Sequence, residues 1–177
     1  MDNLIDGRAI AGLIHEETCR AVARLLEGGL QPGLAFVRVG EDPASRVYVG
    51  MKEKACVKLG IRSKTHVLPE DTTEKDLLKF VADLNADATV HGILVQLPLP
   101  AEITSTRVLD AIHPFKDVDA FHPENVGLIA QGRPRFLPCT PHGIQQLLVR
   151  TAVETSGAHV VVLGRSDIVG KPMAAIL

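Results

Sequence analysis

The stretch HGILVQLPLP, residues 91–100, decides the fold class of this chain. Its centre, ILVQL, is a nearly continuous apolar run, which is typical of a strand buried on both faces in a parallel sheet. Pro98 and Pro100 stop the strand because neither can donate a hydrogen bond to a neighbouring strand. Gln96 therefore lies near the carboxyl end of a strand, where open α/β sheets bind ligands. A core glutamine whose amide is satisfied by backbone groups would fit the pattern equally well.

Strands and helices alternate on both sides of this stretch. Two short β-rich runs, residues 34–39 and 63–68, precede it. Helical periodicity predicts helices at residues 6–27, 45–60, 73–84, 105–112 and 138–150. Residues 121–137 show no strong period. The order strand, helix, strand, helix, strand predicts an α/β fold.

The helix predicted over residues 45–60 carries a tyrosine, Tyr48, and a lysine four residues later, Lys52. This spacing places both side chains on one face of the helix. Lys52 stands next to a phenol and among apolar residues, where burial disfavours the charged form of a lysine. Such a lysine can transfer protons. A solvated helix face is the commoner explanation for a Tyr/Lys pair with this spacing.

The ends of two predicted helices carry capping signals. Ser45 stands at the N-cap of the helix over residues 45–60, and Gly60 stands just past its end. Thr140 stands at the N-cap of the helix over residues 138–150, with Pro141 at its first position. Four apolar residues at helical spacing predict the buried stripe of the first helix: Val47, Met51, Ala55 and Leu59.

A glycine-containing turn lies near the end of the chain. The run VVVL at residues 160–163 predicts a buried strand, GRSDIVG at residues 164–170 predicts a turn, and Pro172 opens a helix. A strand, a glycine-rich turn and a helix N-terminus together form a cradle for phosphate. The spacing departs from G-x-G-x-x-G because Ser166 replaces the middle glycine. An ordinary turn between a strand and a helix fits equally well.

The composition argues against several classes of protein. The net charge is −2 and there is no long basic run, so nucleic acid is not an expected partner. The three cysteines are widely spaced and predict neither a disulfide framework nor a zinc site, and the scattered histidines predict no metal site. No apolar run reaches the roughly 18 residues that a membrane span needs, and the N-terminus is too polar for a signal peptide. We therefore expect a cytoplasmic enzyme.

The motifs above belong to a set of sequence blocks spread over residues 43–172. The blocks are PASxxYVxxK (43–52), HGILVQLPLP (91–100), KDVD (116–119), PCTPxGI (138–144) and GRSDIVGKP (164–172). In content and in order they resemble the bifunctional methylenetetrahydrofolate dehydrogenase/cyclohydrolase family.

The resemblance implies a role for each motif residue. Lys52 would be the proton-transferring group of the cyclohydrolase step, Tyr48 would pack against the folate and help to position Lys52, and Gln96 would hydrogen-bond near Lys52 and tune it. Asp119 would bind the pterin ring, although aspartates in a loop are more often turn formers. The residues that would hold the dinucleotide are Gly164, Arg165, Ser166 and Gly170, with Arg165 near a 2′-phosphate.

The chemistry and the domains of the family are implied in the same way. A hydride would pass from 5,10-methylenetetrahydrofolate to NADP, with NAD less favoured, and water would convert the methenyl product to 10-formyltetrahydrofolate. The expected assembly is a homodimer, and the expected context is one-carbon metabolism, including purine biosynthesis. Residues 1–139 would form a three-layer α/β folate-binding domain. Residues 140–177 would form a linker helix and the first unit of a Rossmann-like NAD(P)-binding domain.

Two departures from the family pattern affect these expectations. Ala120 stands where the family usually has glycine, which is a small change if φ is negative there. The family's chains run on well past residue 177, so we expect a fragment with an incomplete nucleotide domain. A folate-binding or assembly subunit without dehydrogenase turnover is therefore the alternative function. The sequence leaves open the choice between NADP and NAD, the relative rates of the two activities and the oligomeric state.

Overall fold

The computed structural model describes residues 4–177, which divide into two compact units. Thr18–Val118 forms the first, here called the sheet unit, and the residues up to Glu17 together with Asp119–Leu177 form the second, here called the helical unit. The helices are α1 Gly7–Glu27, α2 Pro43–Leu59, α3 Glu74–Ala86, α4 Ser105–Ala111, α5 Pro123–Ala130, α6 Cys139–Arg150 and α7 Gly170–Ile176. The strands are β1 Gly33–Val39, β2 Arg62–Leu68 and β3 Gly92–Val95.

The sheet unit is built on a parallel sheet with the strand order β2-β1-β3. The central strand β1 pairs with β2 from Gly33 opposite Arg62, and with β3 from Leu34 opposite Gly92. Parallel neighbours need a crossover connection, and α2 and α3 supply the two crossovers. The α/β fold expected from the sequence is confirmed.

Side chains alternate across the sheet, so each face has its own core. One face packs against α3 and α4 through Ala35, Val37, Val39, Leu77, Val81, Leu84, Ile93, Val95, Ile103, Val108 and Ile112. The other face packs against α2 through Phe36, Val49, Cys56 and Leu94. All of β3 is buried, because helices cover both of its faces. The sheet unit therefore has three layers.

The stripe predicted to be buried on α2 is wrong, since Val47 is 59% exposed, Met51 is 62% exposed, and Ala55 and Leu59 are only partly buried. The buried positions of α2 are Ser45, Val49 and Cys56. Both sets have helical spacing, so periodicity could not distinguish them. The sheet face beneath α2 already carries a phenylalanine and a leucine, and it therefore takes the set with the smaller side chains.

The two ends of α2 differ in how well the sequence predicts them. The N-cap is Asp42 rather than Ser45, because the Asp42 carboxylate accepts a hydrogen bond from the Ser45 N–H at 2.7 Å and Pro43 occupies the first turn. Gly60 directly follows the helix with φ of 74°. That left-handed conformation suits glycine, and the predicted C-terminal signal is confirmed.

The sequence predicts the helices of the helical unit less well. α6 begins at Cys139 without a side-chain cap, so the prediction of Thr140 as its N-cap is wrong. Periodicity misses α5 altogether. The N-cap of α5 is His122, whose Nδ1 accepts a hydrogen bond from the Glu124 N–H at 3.1 Å. Histidine is not among the usual N-cap residues, so the sequence carries no strong start signal there.

The strand predicted at residues 160–163 is wrong. The segment has no regular structure, and Val161 and Leu163 are 69% and 97% exposed. An apolar run forms a strand only when a neighbour pairs with its backbone, and none of the described strands pairs with this segment. The turn that follows is nevertheless succeeded by a helix, which starts at Gly170 rather than at Pro172.

Candidate active site

Lys52 and Gln96 meet at the carboxyl end of the sheet. Gln96 directly follows β3, and its backbone N–H donates to the Val37 carbonyl at 2.8 Å, which continues the pairing with β1. The Lys52 Nζ donates to the Gln96 Oε1 at 3.2 Å, and both side chains are partly buried. The sequence separation of this contact is 44 residues, so only the fold brings the two side chains together.

The Gln96 amide has one orientation that satisfies both of its ends. Its Nε2 donates to the Leu97 carbonyl at 2.7 Å, which leaves Oε1 to accept from Lys52. An amide oxygen accepts from a lysine nitrogen whether or not that nitrogen is protonated. None of the ion pairs in the described part of the chain includes Lys52. The pair therefore holds the lysine in place without fixing its charge through a carboxylate.

Tyr48 lies one turn before Lys52 on α2, and it is 58% exposed. A spacing of four residues places both side chains on the same side of the helix. The ring therefore offers an aromatic surface to a ligand that approaches Lys52 from solvent. The exposed ring also means that Tyr48 contributes little to the core.

Two further titratable groups of α2 have structural functions. Burial raises the pKa of the Cys56 thiol above its usual value, so this cysteine behaves as a core residue. The Ser45 N–H and hydroxyl bind the Asp42 carboxylate and lower its pKa. The N-terminal cap of α2 therefore stays charged over the usual pH range.

The lysine of the KDVD motif, Lys116, caps a helix. The Lys116 Nζ donates to the carbonyls of Leu84, Asn85 and Asp87 at 3.0, 2.7 and 2.8 Å. These carbonyls lie at the carboxyl end of α3, where a positive charge is favourable. Lys116 therefore anchors the loop of residues 116–119 to the sheet unit.

The two aspartates of the same loop have different surroundings. Asp117 is buried in the sheet unit, whereas Asp119 is half-buried and belongs to the helical unit. Ala120, which follows Asp119, is buried and has φ of 56°. Alanine would be a small change at position 120 only if φ were negative, and φ is positive. This left-handed conformation costs an alanine roughly 1–2 kcal/mol and costs a glycine almost nothing.

The turn of residues 164–170 is closely packed. Gly164 has φ of 142°, and a Cβ added to Gly170 would lie 2.5 Å from the Gly164 carbonyl oxygen. Both positions therefore require glycine. The Ser166 hydroxyl accepts hydrogen bonds from the Val169 and Gly170 N–H groups, both at 3.2 Å, and so holds the turn closed from inside. Arg165 is exposed.

Sequence reasoning missed Arg38, which interrupts the apolar run LAFVRV of β1. The residue is 5% exposed, and its guanidinium hydrogen-bonds the Gly40 carbonyl and the Glu41 carboxylate. The available signal was a charged residue inside a strand that is otherwise apolar.

Two further features of residues 4–177 bear on other classes of site. No group of three or more histidine, cysteine, aspartate or glutamate side chains among these residues is arranged to hold a metal ion. No helix in the described range combines the length and the apolar character that crossing a bilayer requires.

Comparison with protein families assigns both parts of the chain. Residues 5–119 match the catalytic domain of tetrahydrofolate dehydrogenase/cyclohydrolase. This chain belongs to the tetrahydrofolate dehydrogenase/cyclohydrolase family. Residues 138–177 match the NAD(P)-binding domain of the same family.

Relatives within the tetrahydrofolate dehydrogenase/cyclohydrolase family are close in sequence. The bifunctional protein FolD of Rhodopirellula baltica is 61% identical over 180 residues, and the bifunctional protein FolD of Geotalea daltonii is 55% identical over 174 residues. These alignments cover 98% of this chain, but 60% and 62% of the relatives. The chain therefore spans about 60% of the length of the curated relatives it matches.

Solved structures of the family share the fold. The bifunctional FolD methylenetetrahydrofolate dehydrogenase/cyclohydrolase of Campylobacter jejuni is 44% identical, with a TM-score of 0.96 over 98% of this chain and 62% of that one. The Trypanosoma brucei dehydrogenase-cyclohydrolase, solved with NADP and an inhibitor, is 39% identical, with a TM-score of 0.92 over 97% of this chain and 59% of that one. The combination of an α/β catalytic domain and the start of an NAD(P)-binding domain is confirmed.

Proposed function

We propose that this chain carries out, or is part of a protein that carries out, two linked reactions of folate one-carbon metabolism. The first oxidises 5,10-methylenetetrahydrofolate to the methenyl cation with NADP, and the second hydrolyses that cation to 10-formyltetrahydrofolate. The observation that carries the proposal is the 3.2 Å hydrogen bond from Lys52 to Gln96 at the carboxyl end of the sheet. The family membership supports it, because both domains of the family match.

The hydrolytic step needs one group that takes a proton and returns it. Addition of water to the methenyl carbon releases a proton, and breaking the bond from that carbon to the leaving ring nitrogen requires a proton on the nitrogen. Lys52 in its neutral form takes up the first proton and supplies it to the ring nitrogen, while the hydroxyl proton leaves to solvent as the formyl C=O forms, so the hydrolysis releases one proton overall. Gln96 holds the Lys52 nitrogen in place through Oε1, and Tyr48 provides the aromatic surface for the folate.

Asp119 is the residue proposed to bind the pterin. A carboxylate accepts two hydrogen bonds from adjacent N–H groups of a ring, and such charge-assisted bonds are stronger than neutral ones. The half-buried position of Asp119 supports the proposal, because partial burial strengthens these bonds.

The turn of residues 164–170 fits the phosphate end of a dinucleotide. The close approach between Gly164 and Gly170 leaves no room for a Cβ, as in backbones that come close to a pyrophosphate. Gly164, Arg165, Ser166 and Gly170 would hold the cofactor there. When bound, NADP supplies the acceptor for the hydride. The exposed guanidinium of Arg165 favours NADP over NAD, because it can pair with a 2′-phosphate.

The remaining proposals concern organisation and context. Residues 1–139 would act as the folate-binding domain and residues 140–177 as the beginning of the nucleotide domain. The protein would act as a homodimer in the cytoplasm, where it would supply one-carbon units for purine biosynthesis. Each of these proposals rests on the family resemblance.

Substitution of Lys52 tests the hydrolytic role. We expect Lys52→Gln to lower turnover of methenyltetrahydrofolate at least about 10²-fold, the usual size of a general acid–base contribution, and to leave folate binding intact. The decay of methenyltetrahydrofolate absorbance measures the rate. Lys54→Gln is the matched control, because Lys54 lies on the exposed side of the same helix.

The same assay separates the enzyme from the alternative. Near-normal hydrolysis by Lys52→Gln would contradict the proton-transfer role. An unsubstituted chain that binds folate but turns over neither substrate would instead support a binding or assembly subunit. The comparisons favour the enzyme, because the relatives named above are described as bifunctional or as dehydrogenase-cyclohydrolases.

A further inference from the structure

Arg38 is a buried charged residue that the proposed mechanism does not use. Its side chain is 7% exposed, whereas the carboxylate it pairs with, on Glu41, belongs to a side chain that is 72% exposed. Burying a guanidinium carries a desolvation cost that a single solvated carboxylate offsets only in part. An apolar residue would complete the apolar strand without that cost. Packing alone therefore does not explain the charge.

Arg38 lies beside Gln96 on the sheet face that α2 covers. Alternation along β1 places Arg38 on the same face as Phe36, and alternation along the third strand places Gln96 on the same face as Leu94. The last ladder pair of these strands is Val37 opposite Val95, so the next step along both segments brings Arg38 next to Gln96. The two polar residues are neighbours on an otherwise apolar face.

The guanidinium binds the turn from which α2 starts. Its Nη1 donates to the Gly40 carbonyl at 2.7 Å, and Nη1 and Nη2 donate to the Glu41 carboxylate at 3.2 and 3.3 Å. The Gly40 N–H also donates to the Leu68 carbonyl at 3.0 Å. The next residue, Asp42, is the N-cap of α2. The start of α2 is therefore tied to the sheet from two directions.

The position of this turn determines where α2 places Lys52. Lys52 lies about ten residues beyond the cap, or about 15 Å along the helix axis. A tilt of about 5° at the start of the helix would move the backbone at Lys52 by about 1 Å. A hydrogen bond of 3.2 Å between two side chains would not persist unchanged after such a movement.

We infer that Arg38 is a positioning residue for the Lys52–Gln96 pair. Its buried guanidinium fixes the turn of residues 40–42, and the fixed turn holds α2 in the orientation that brings Nζ to the Gln96 amide. The importance of this role for catalysis rests on the proposed function, whereas the geometric role can be measured without turnover.

The side-chain amide of Gln96 reports the contact directly. In ¹H–¹⁵N spectra of the whole chain, Gln96→Glu identifies the Gln96 amide signals by their loss, and Lys52→Met shows where they move once Lys52 is gone. We expect Arg38→Met to shift the signals toward the Lys52→Met positions. We expect Arg38→Lys, which keeps a charged donor for the Gly40 carbonyl but loses the second nitrogen that reaches Glu41, to shift them less than Arg38→Met does.

Controls separate positioning from a purely structural role. Arg107→Met makes the same change at an exposed arginine that pairs with Glu74, and it should leave the Gln96 signals unmoved. If Arg38→Met lowers the melting temperature but does not move these signals, or if Arg107→Met moves them equally, the inference is overturned. If Arg38→Met does not fold, Arg38→Gln, which removes the guanidinium but stays polar, decides: a shift toward the Lys52→Met positions supports the inference, and an unchanged spectrum overturns it. Hydrolysis rates enter none of these outcomes, so a failure of the proposed function would be recognised separately.

Discussion

Gly92→Ala is expected to destabilise the sheet unit by overpacking the core beneath α2. A Cβ at Gly92 would lie 2.5 Å from the Leu34 Cδ2 and 2.5 Å from the Val118 Cγ1, whereas ordinary contacts begin near 3.4 Å. Each side chain must therefore retreat by about 1 Å, and Val118 has few rotamers with which to do so. Overpacking of this kind costs about 1–3 kcal/mol. For a chain of this size that corresponds to a fall in Tm of about 2–12 °C.

The control for this prediction is Gly50→Ala, which makes the same chemical change within α2. A Cβ at Gly50 would meet nothing within 4 Å. Since glycine in a helix interior is less stable than alanine by roughly 0.5–1 kcal/mol, Gly50→Ala should raise Tm slightly. Thermal unfolding followed by circular dichroism measures both variants. If Gly92→Ala melts at or above the unsubstituted chain, the packing of Leu34 and Val118 against Gly92 is not as described.

Three further predictions test other parts of the structure. Asp119→Asn should raise KM for the folate more than it lowers kcat, because an amide does not reproduce a carboxylate's charge-assisted bonds, and an unchanged KM would remove Asp119 from the pterin site. Burial and the nearby Lys64 hold the pKa of His66 below its usual 6.5. As the pH falls below 6.5, the His66 imidazole is therefore protonated more readily in the unfolded chain than in the folded one, and the free energy of unfolding decreases. Urea unfolding at about pH 7 and about pH 5.5 should show a smaller loss of stability in His66→Gln, and equal losses would show that His66 is not responsible. Calorimetry of NADP against the 177-residue chain should give an affinity weaker than micromolar, because residues 160–163 are exposed and outside any strand; micromolar binding would show that the turn of residues 164–170 suffices.

The sequence by itself determined the features that depend on short stretches of chain. The apolar run before Pro98 places Gln96 directly after a buried strand, because proline ends a ladder wherever it occurs. Gly60 ends α2 because only glycine adopts a left-handed conformation at little cost. The alternation of strands and helices can be read from the spacing of apolar residues, because side chains repeat about every 3.6 residues in a helix and every 2 residues in a strand. The family motifs are also short, continuous stretches of sequence.

Only the tertiary structure decided which surfaces meet. Two stripes of α2 have helical spacing, and the sheet face beneath the helix selected the one with smaller residues. The hydrogen bond from Lys52 to Gln96 joins two segments that are far apart in sequence. Arg38 is buried only because the folded chain surrounds it. Residues 160–163 have the composition of a strand, but none of the described strands pairs with them, so they form no regular structure. Strand pairing and burial are properties of two surfaces together, and a sequence pattern describes only one of them.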